Sequence, residues 1–167
     1  QHSTGYDHIV LLSGQDYPLC HEREIIHRLK ANRDASFIHY TEVTPDCNPH
    51  VLERISKYHI KIPWNKKIIY PYDSNNLDKK IINQLLKLTD QFPLPRILPG
   101  KRKLYFGSNW VRLSKKAVDF FFQTLKEEPE IMSFFKYTTL SEEHIFQTIL
   151  LNADETQTGR IINTNFT

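Results

Sequence analysis

The spacing of apolar positions changes several times along the chain, and each change marks an element. Residues 8–12 (His-Ile-Val-Leu-Leu) run apolar up to Ser13-Gly14, which predicts a buried central strand. The next stretch, Gly14-Gln15-Asp16-Tyr17-Pro18, reads as a turn, with Gly14 freeing the backbone and Pro18 fixing the exit. From 21 to 33, Ile25, Ile26 and Leu29 keep helical spacing among charges, so this segment is an amphipathic helix. Residues 36–40 read as a second short strand. Asp46-Cys47-Asn48-Pro49 is a capping signature that starts a helix running to about residue 58. Leu77, Ile81, Leu85 and Leu88 share one stripe of a further helix over 77–88.

Three prolines and a glycine in 92–103 predict an ordered loop or a lid. A strand begins at Leu104-Tyr105-Phe106 and breaks at Gly107-Ser108-Asn109-Trp110. Ser114 is placed to cap a helix to about residue 126, with Ala117, Phe120, Phe121 and Leu125 inward. Ser141 is placed to cap a second helix over 142–151, and 160–162 reads as a last strand. Strands and helices in alternation predict an α/β layer fold.

Composition narrows the function classes. At 167 residues the chain has the size of one domain. Its 40% hydrophobic content suffices for a core and excludes a disordered tail. Lys and Arg exceed Asp and Glu by only three (22 against 19), too few for the basic face of a nucleic-acid binder, so no nucleic-acid partner is expected. Two cysteines, Cys20 and Cys47, cannot build a disulfide framework or a structural zinc site, and free thiols are the expectation. No apolar run reaches the ~20 residues of a membrane span.

Candidate chemistry gathers at a few positions. Glu142 and Glu143 follow Ser141, where a helix dipole favours acids, so capping is their plain structural reading. The functional reading is a general base at the mouth of the sheet, desolvated by Phe134, Phe135, Tyr137 and Phe146. Asp16 follows the first strand, where open α/β sheets bind ligands, or it only closes its own turn. Trp110, beside Ser108 and Asn109, is either core or a stacking face for a sugar ring with hydroxyl partners next to it. The run Lys101-Arg102-Lys103 invites a phosphate-binding reading, but such runs are usually solvated. No HExxH, CxxC, Gly-rich phosphate loop or GxSxG elbow occurs, and neither does an Asp-x-Asp pair for a divalent cation.

Three stretches, taken in order, resemble one family. Tyr6-Asp7-His8-Ile9-Val10-Leu11-Leu12-Ser13-Gly14-Gln15-Asp16-Tyr17-Pro18-Leu19 is similar to the "fdhfinLSGqDyPl" segment of the core-2/I-branching β-1,6-N-acetylglucosaminyltransferase and peptide O-xylosyltransferase family. Phe106-Gly107-Ser108-Asn109-Trp110-Val111-Arg112-Leu113-Ser114-Lys115 resembles its "GS-x-W-x-x-Lsr" block. Tyr137-Thr138-Thr139-Leu140-Ser141-Glu142-Glu143-His144-Ile145-Phe146-Gln147-Thr148-Ile149-Leu150 resembles its "pdE-x-fxxTil" block. The last block lies nearer the xylosyltransferase branch, as does the Asn163-x-Asn165 ending.

The resemblance implies a GT-A-like mixed sheet with flanking helices. It also implies an inverting, metal-independent transfer of GlcNAc or xylose from a UDP-sugar to a hydroxyl of a glycan or protein acceptor. Glu143 maps onto the family's general base, with Glu142 left as the cap. Asp16, Ser108, Asn109 and Trp110 map to the acceptor side, and Glu42 and Arg54 fall near acceptor-contacting positions. No cofactor beyond the donor is implied. Xylosyltransferase-like members carry Asp where this chain has Asn109, a departure that removes a charge. The family's nucleotide-binding segment precedes the first block, and its diphosphate-neutralising residues follow the third. Residues 1–167 are therefore expected to be the central, acceptor-side part of a larger domain. The compartment implied is the Golgi lumen for a eukaryotic protein, or the cytoplasm for a bacterial homologue. Two rivals stand beside this reading: a glycoside hydrolase using Asp16 and Glu143 as a carboxylate pair, and a non-catalytic carbohydrate-binding module.

Overall fold

Val111 and Leu113 point to one face of a strand and Arg112 and Ser114 to the other, and all four are buried. In the computed structural model, which describes residues 5–47, 49–59, 84 and 96–164, this strand is the hub of the main sheet. We label the strands β1 (His8–Val10), β2 (Ala35–Ile38), β3 (Thr41–Glu42), β4 (Tyr105–Phe106), β5 (Val111–Ser114) and β6 (Arg160–Ile162). The main sheet has the order β1-β5-β2-β6. β5 runs antiparallel to both β1 and β2, while β2 and β6 are parallel. β3 and β4 form a separate antiparallel pair in which Glu42 faces Tyr105. The result is a mixed α/β architecture of the kind expected.

The helices are α1 (Glu22–Ala31), α2 (Pro49–Ser56), α3 (Lys115–Glu127), α4 (Pro129–Lys136), α5 (Ile145–Leu151) and α6 (Glu155–Thr158). The expected Ser114 cap is present, its hydroxyl accepting from the Ala117 N–H at 3.3 Å. Ala117, Val118 and Phe121 of α3 pack with Val111 and Leu113, and with Ile131, Phe134 and Phe135 of α4 and Ile149 and Leu150 of α5. Phe120 and Leu125, expected inward, are partly buried against that core. The predicted helix over 77–88 falls outside the described residues apart from Gln84. Of the Pro-rich stretch, residues 96–103 are described. Leu98 is anchored in the core there, and a 3-10 turn spans Pro99–Lys101. No helix among the described residues is long and apolar enough to cross a membrane.

Three expectations need correction. β1 is an edge strand among the described residues, not a central one, and Ile9 and Val10 on its two faces are 42% and 37% exposed. An unbroken apolar run reports that both faces suit burial, but it does not say where the strand sits in a sheet. Secondly, β5 continues directly after the Gly107–Trp110 break, where only a helix cap was expected at Ser114. Thirdly, Ser141 caps no helix. Residues Ser141–Glu143 form a 3-10 turn entered through Leu140 at φ 53° and ψ 45°, and α5 starts only at Ile145. The Glu143 and His144 N–H groups are taken by the Leu140 and Ser141 carbonyls at 2.9 and 3.1 Å. A capping oxygen at Ser141 or Glu142 would find these donors already used.

Two polar devices stitch the layers together. Arg112, on the sheet face opposite the α3 core, donates to the carbonyls of Asn32 (2.9 Å) and Ala35 (3.3 Å). Its guanidinium also lies 4.1 Å from the centre of the Phe37 ring, so it clamps the α1–β2 turn. After β6, the Asn163 side chain acts as an extra strand residue. It accepts from the Tyr40 N–H at 3.0 Å and donates to the Tyr40 carbonyl at 3.1 Å.

Candidate active site

The site is built around the break between β4 and β5. A Cβ on Gly107 would lie 1.8 Å from the His39 carbonyl oxygen, so only glycine lets the break pass under the β2–β3 bend. That close approach leaves the Gly107 N–H pointing at the Glu143 carbonyl, 2.8 Å away. The bend and the Glu143 turn are thereby joined through backbone alone. Gly107→Ala is expected to destabilise the protein by about 3 kcal/mol, the upper part of the range for forced overpacking. Thermal unfolding tests this, and a midpoint equal to the parent's would contradict the close approach.

Glu143 sits at the end of its 3-10 turn with its side chain 31% exposed, and Oε2 accepts from Arg54 Nη1 at 2.9 Å. The expected aromatic surround is not what holds it. Phe134 and Phe135 lie in the core, Phe146 stacks on Phe121 at 4.7 Å between centroids, and Tyr137 packs edge-on to Tyr58. The side-chain partner that Glu143 has among the described residues is an arginine.

Arg54 reaches Glu143 because α2 is held at its C-terminal end by a residue that sequence reasoning passed over. Arg96 donates at 2.8 Å to the carbonyls of both Ile55 and Lys57. Its other nitrogen donates to Phe134 O and Thr138 Oγ1, and the guanidinium lies over the rings of Tyr58 and Phe134. This one side chain ties the end of α2 to the end of α4. A lone Arg in a Pro-rich stretch carries no pattern that announces such a role.

Asp16 and Trp110 meet directly, the indole N–H donating to Oδ2 at 2.8 Å. Asp16 also closes its own turn, accepting from the Ser13 N–H, so the turn-holding reading is correct as far as it goes. That bond, and after it the indole bond, hold the Asp16 carboxyl below the usual carboxylate range. Trp110 is 48% exposed, so it is not plain core. The Ser108 hydroxyl accepts from the Trp110 N–H at 3.1 Å, and Asn109 is half-buried between them. Glu42 lies one strand away, paired through its carboxylate with Lys103 at 3.1 Å. Arg102 is paired with Glu128 and its side chain is only 17% exposed. Lys101 and Lys103 are exposed, Lys103 even while paired with Glu42, so the run is solvated as expected except at Arg102.

A second set of residues escaped the sequence reading. His144, Gln147, Thr148 and Asn152 follow one another along one side of α5 and its flanks. All four hydrogen-bond the backbone of residues 103–108. Asn152 exchanges two bonds with Lys103 (2.9 and 2.7 Å). Thr148 exchanges two with Tyr105 (3.1 and 3.3 Å). The ring Nδ1 of His144 is 3.3 Å from the Tyr105 carbonyl, and Gln147 Nε2 donates to the Ser108 carbonyl at 2.8 Å. Helix side chains thus satisfy the β4 edge that a further strand would otherwise pair. Burial, the dominant cause, pushes the His144 imidazole down to about 4. The ring is therefore neutral near pH 7 and donates from Nδ1, because a carbonyl can only accept. A polar stripe on an otherwise apolar helix was the available signal.

Among the described residues, no three His, Cys, Asp or Glu side chains gather as a metal site requires. Both cysteines are free, as expected.

Comparison with known proteins covers the same ground. The sequence is 29% identical over 154 residues to the Arabidopsis thaliana protein named Beta-glucuronosyltransferase GlcAT14B. The match covers 90% of this chain but only 30% of that protein. The sequence profile described as Core-2/I-Branching enzyme matches residues 1–167. With that match spanning the β1 turn, the β4–β5 break and the Glu143 turn alike, the chain belongs to the Core-2/I-Branching enzyme family.

Proposed function

We propose that this chain carries the general base and the acceptor side of an inverting glycosyltransferase. The observation that carries the reading is Glu143, a part-exposed carboxylate held by Arg54 through Oε2; the reading assigns Oε1 to the incoming hydroxyl. Its turn is bonded to the break that presents Ser108, Asn109 and Trp110. In the reaction, Glu143 takes the proton from the acceptor hydroxyl as that oxygen bonds to the anomeric carbon. The bond from that carbon to the diphosphate oxygen breaks on the opposite face, and UDP departs with its electron pair. Trp110 offers a ring face to a sugar, held edge-on by Asp16, while Ser108 and Asn109 supply hydrogen-bonding groups. Arg54 orients the base, and Glu42 reaches the acceptor once released from Lys103. No metal takes part in this reading, and the nucleotide-binding part lies outside these residues.

The donor is a UDP-sugar, with GlcNAc and xylose implied by the motif resemblance and glucuronic acid by the name of the Arabidopsis relative. The hydrolase rival is weaker. A glycosidase pair must face one another across the scissile bond, whereas the Asp16 carboxylate is engaged by Trp110 and its own turn and Glu143 by Arg54. The test is to incubate the full-length protein with UDP-GlcNAc, UDP-xylose or UDP-glucuronic acid and a panel of glycan acceptors. The expected result is donor-dependent product whose new linkage is inverted at the anomeric carbon by NMR. Retained configuration, or free sugar released from a glycoside with no nucleotide present, would overturn the mechanism. Acceptor binding with no turnover of any donor would favour a carbohydrate-binding module.

A further inference from the structure

Gln147 is fully buried, yet only one end of its amide has a partner. Nε2 donates to the Ser108 carbonyl at 2.8 Å, while Oε1 is buried without a hydrogen bond among the described residues. A buried unpaired acceptor is costly, and replacing the side chain by an apolar one would remove that cost. The amide therefore has to be explained by what its other end does. Ser108 opens the loop that carries Asn109 and Trp110, and its hydroxyl receives the Trp110 N–H. Gln147 stands on α5, whose first turn follows the Glu143 turn closely. The backbone bond from Gly107 to Glu143 and the bonds of His144 and Thr148 to Tyr105 fix the chain up to the loop, and Asp16 holds its far end through Trp110. Gln147 supplies the bond from α5 to Ser108, where the loop leaves that fixed entry.

We propose that Gln147 is a positioning residue that fixes the spacing between the Ser108–Trp110 loop and the base Glu143. It thereby sets how the acceptor is presented. The role rests on the glycosyltransferase reading, but the tether itself is a property of the fold. It is therefore tested by two separate measurements.

Gln147→Met keeps the length and volume of the side chain and removes the donor. The first measurement is the 19F spectrum of the full-length protein labelled with 5-fluorotryptophan, with the Trp110 line assigned by its loss in Trp110→Phe. In Gln147→Met the Trp110 line is expected to broaden or split while other tryptophan lines keep their positions. An unchanged Trp110 line overturns the tether whatever the protein catalyses. The second measurement is steady-state kinetics, where the expected result is a rise in acceptor KM of roughly tenfold with donor KM unchanged. A fall in kcat with both KM values intact, tracking a lower unfolding temperature, would mean that Gln147 only stabilises the fold and would overturn the positioning role. A moved Trp110 line in a protein that transfers no sugar would sink the glycosyltransferase reading and leave the tether standing. Gln147→Asn keeps a buried amide but is one methylene too short to reach Ser108. It is expected to give the same two results, and it serves if the Met variant fails to fold.

Discussion

Glu143→Gln in the full-length protein is expected to lower kcat by about two to four orders of magnitude, the usual contribution of a positioned general base. The substitution is nearly isosteric, and its amide oxygen can still accept from Arg54 Nη1, which lies 2.9 Å from Oε2. The turn should therefore keep its shape. What goes is the ability to take a proton from the acceptor hydroxyl. The stability cost should be small, because the two side chains of the pair are 30% and 31% exposed and ion pairs near the surface contribute about 0–1 kcal/mol. KM for the donor should stay within about a factor of two, since an interaction made only in the transition state lowers kcat and kcat/KM together. Glu143→Asp, one methylene shorter, should fall between the two. If Glu143→Gln turned over at the parent's rate, the base would have to be sought elsewhere.

The fold could be read from the sequence wherever a local rule coincided with the tertiary arrangement. α1, α2, α3 and β6 lie close to where the sequence places them, because amphipathic spacing and caps are local. β5 escapes such a reading because Arg112 interrupts its apolar pattern, and a buried arginine whose Nη2 bonds the carbonyls of Asn32 and Ala35 is invisible to hydropathy. The expected Ser141 cap fails for a related reason. The i to i+3 bonds of the 3-10 turn compete for the same N–H groups, and only the left-handed backbone of Leu140 reveals that this option is taken.

The site divides along the same line. Asp16, Ser108, Asn109, Trp110 and Glu143 sit in runs whose order carries the family resemblance, so they could be named beforehand. The Asp16–Trp110 and Arg54–Glu143 bonds join residues 94 and 89 positions apart, and no spacing rule reaches that far. Arg96, His144 and Gln147 act by bracing the others. Their chemistry is ordinary hydrogen bonding to backbone, which leaves no motif behind.

Between pH 6.5 and about 4 the protein is expected to lose stability as the solution is acidified, with His144 as the largest single cause. In the unfolded chain this imidazole takes up a proton near 6.5, and in the folded protein only near 4. Within that window the unfolded state binds more protons, so its free energy falls relative to the folded state as pH drops. The stability present above 6.5 is lost on the way down, and the loss levels off below about 4. Its full size is on the order of 3 kcal/mol for a shift of this extent, a large share of the roughly 5–15 kcal/mol of a typical domain. The cause is structural. The ring is fully buried, its Nδ1–H is committed to Tyr105, Arg54 opposes a further positive charge, and only Glu142 and the Tyr105 carbonyl favour one. His8 and His59 are also lowered by burial and add in the same direction. Carboxylates such as Asp16, Glu128 and Asp154, each held low by hydrogen bonds, lose their contribution as pH falls through and below their ordinary values, so their window adjoins the acid end of the histidine one. Urea unfolding across the range should show the loss in the parent protein. It should be visibly flatter in His144→Asn, whose amide can still donate towards Tyr105. An equal pH dependence in the two proteins, or an NMR titration of the His144 ring with its midpoint near its ordinary value, would show that the imidazole is not held neutral.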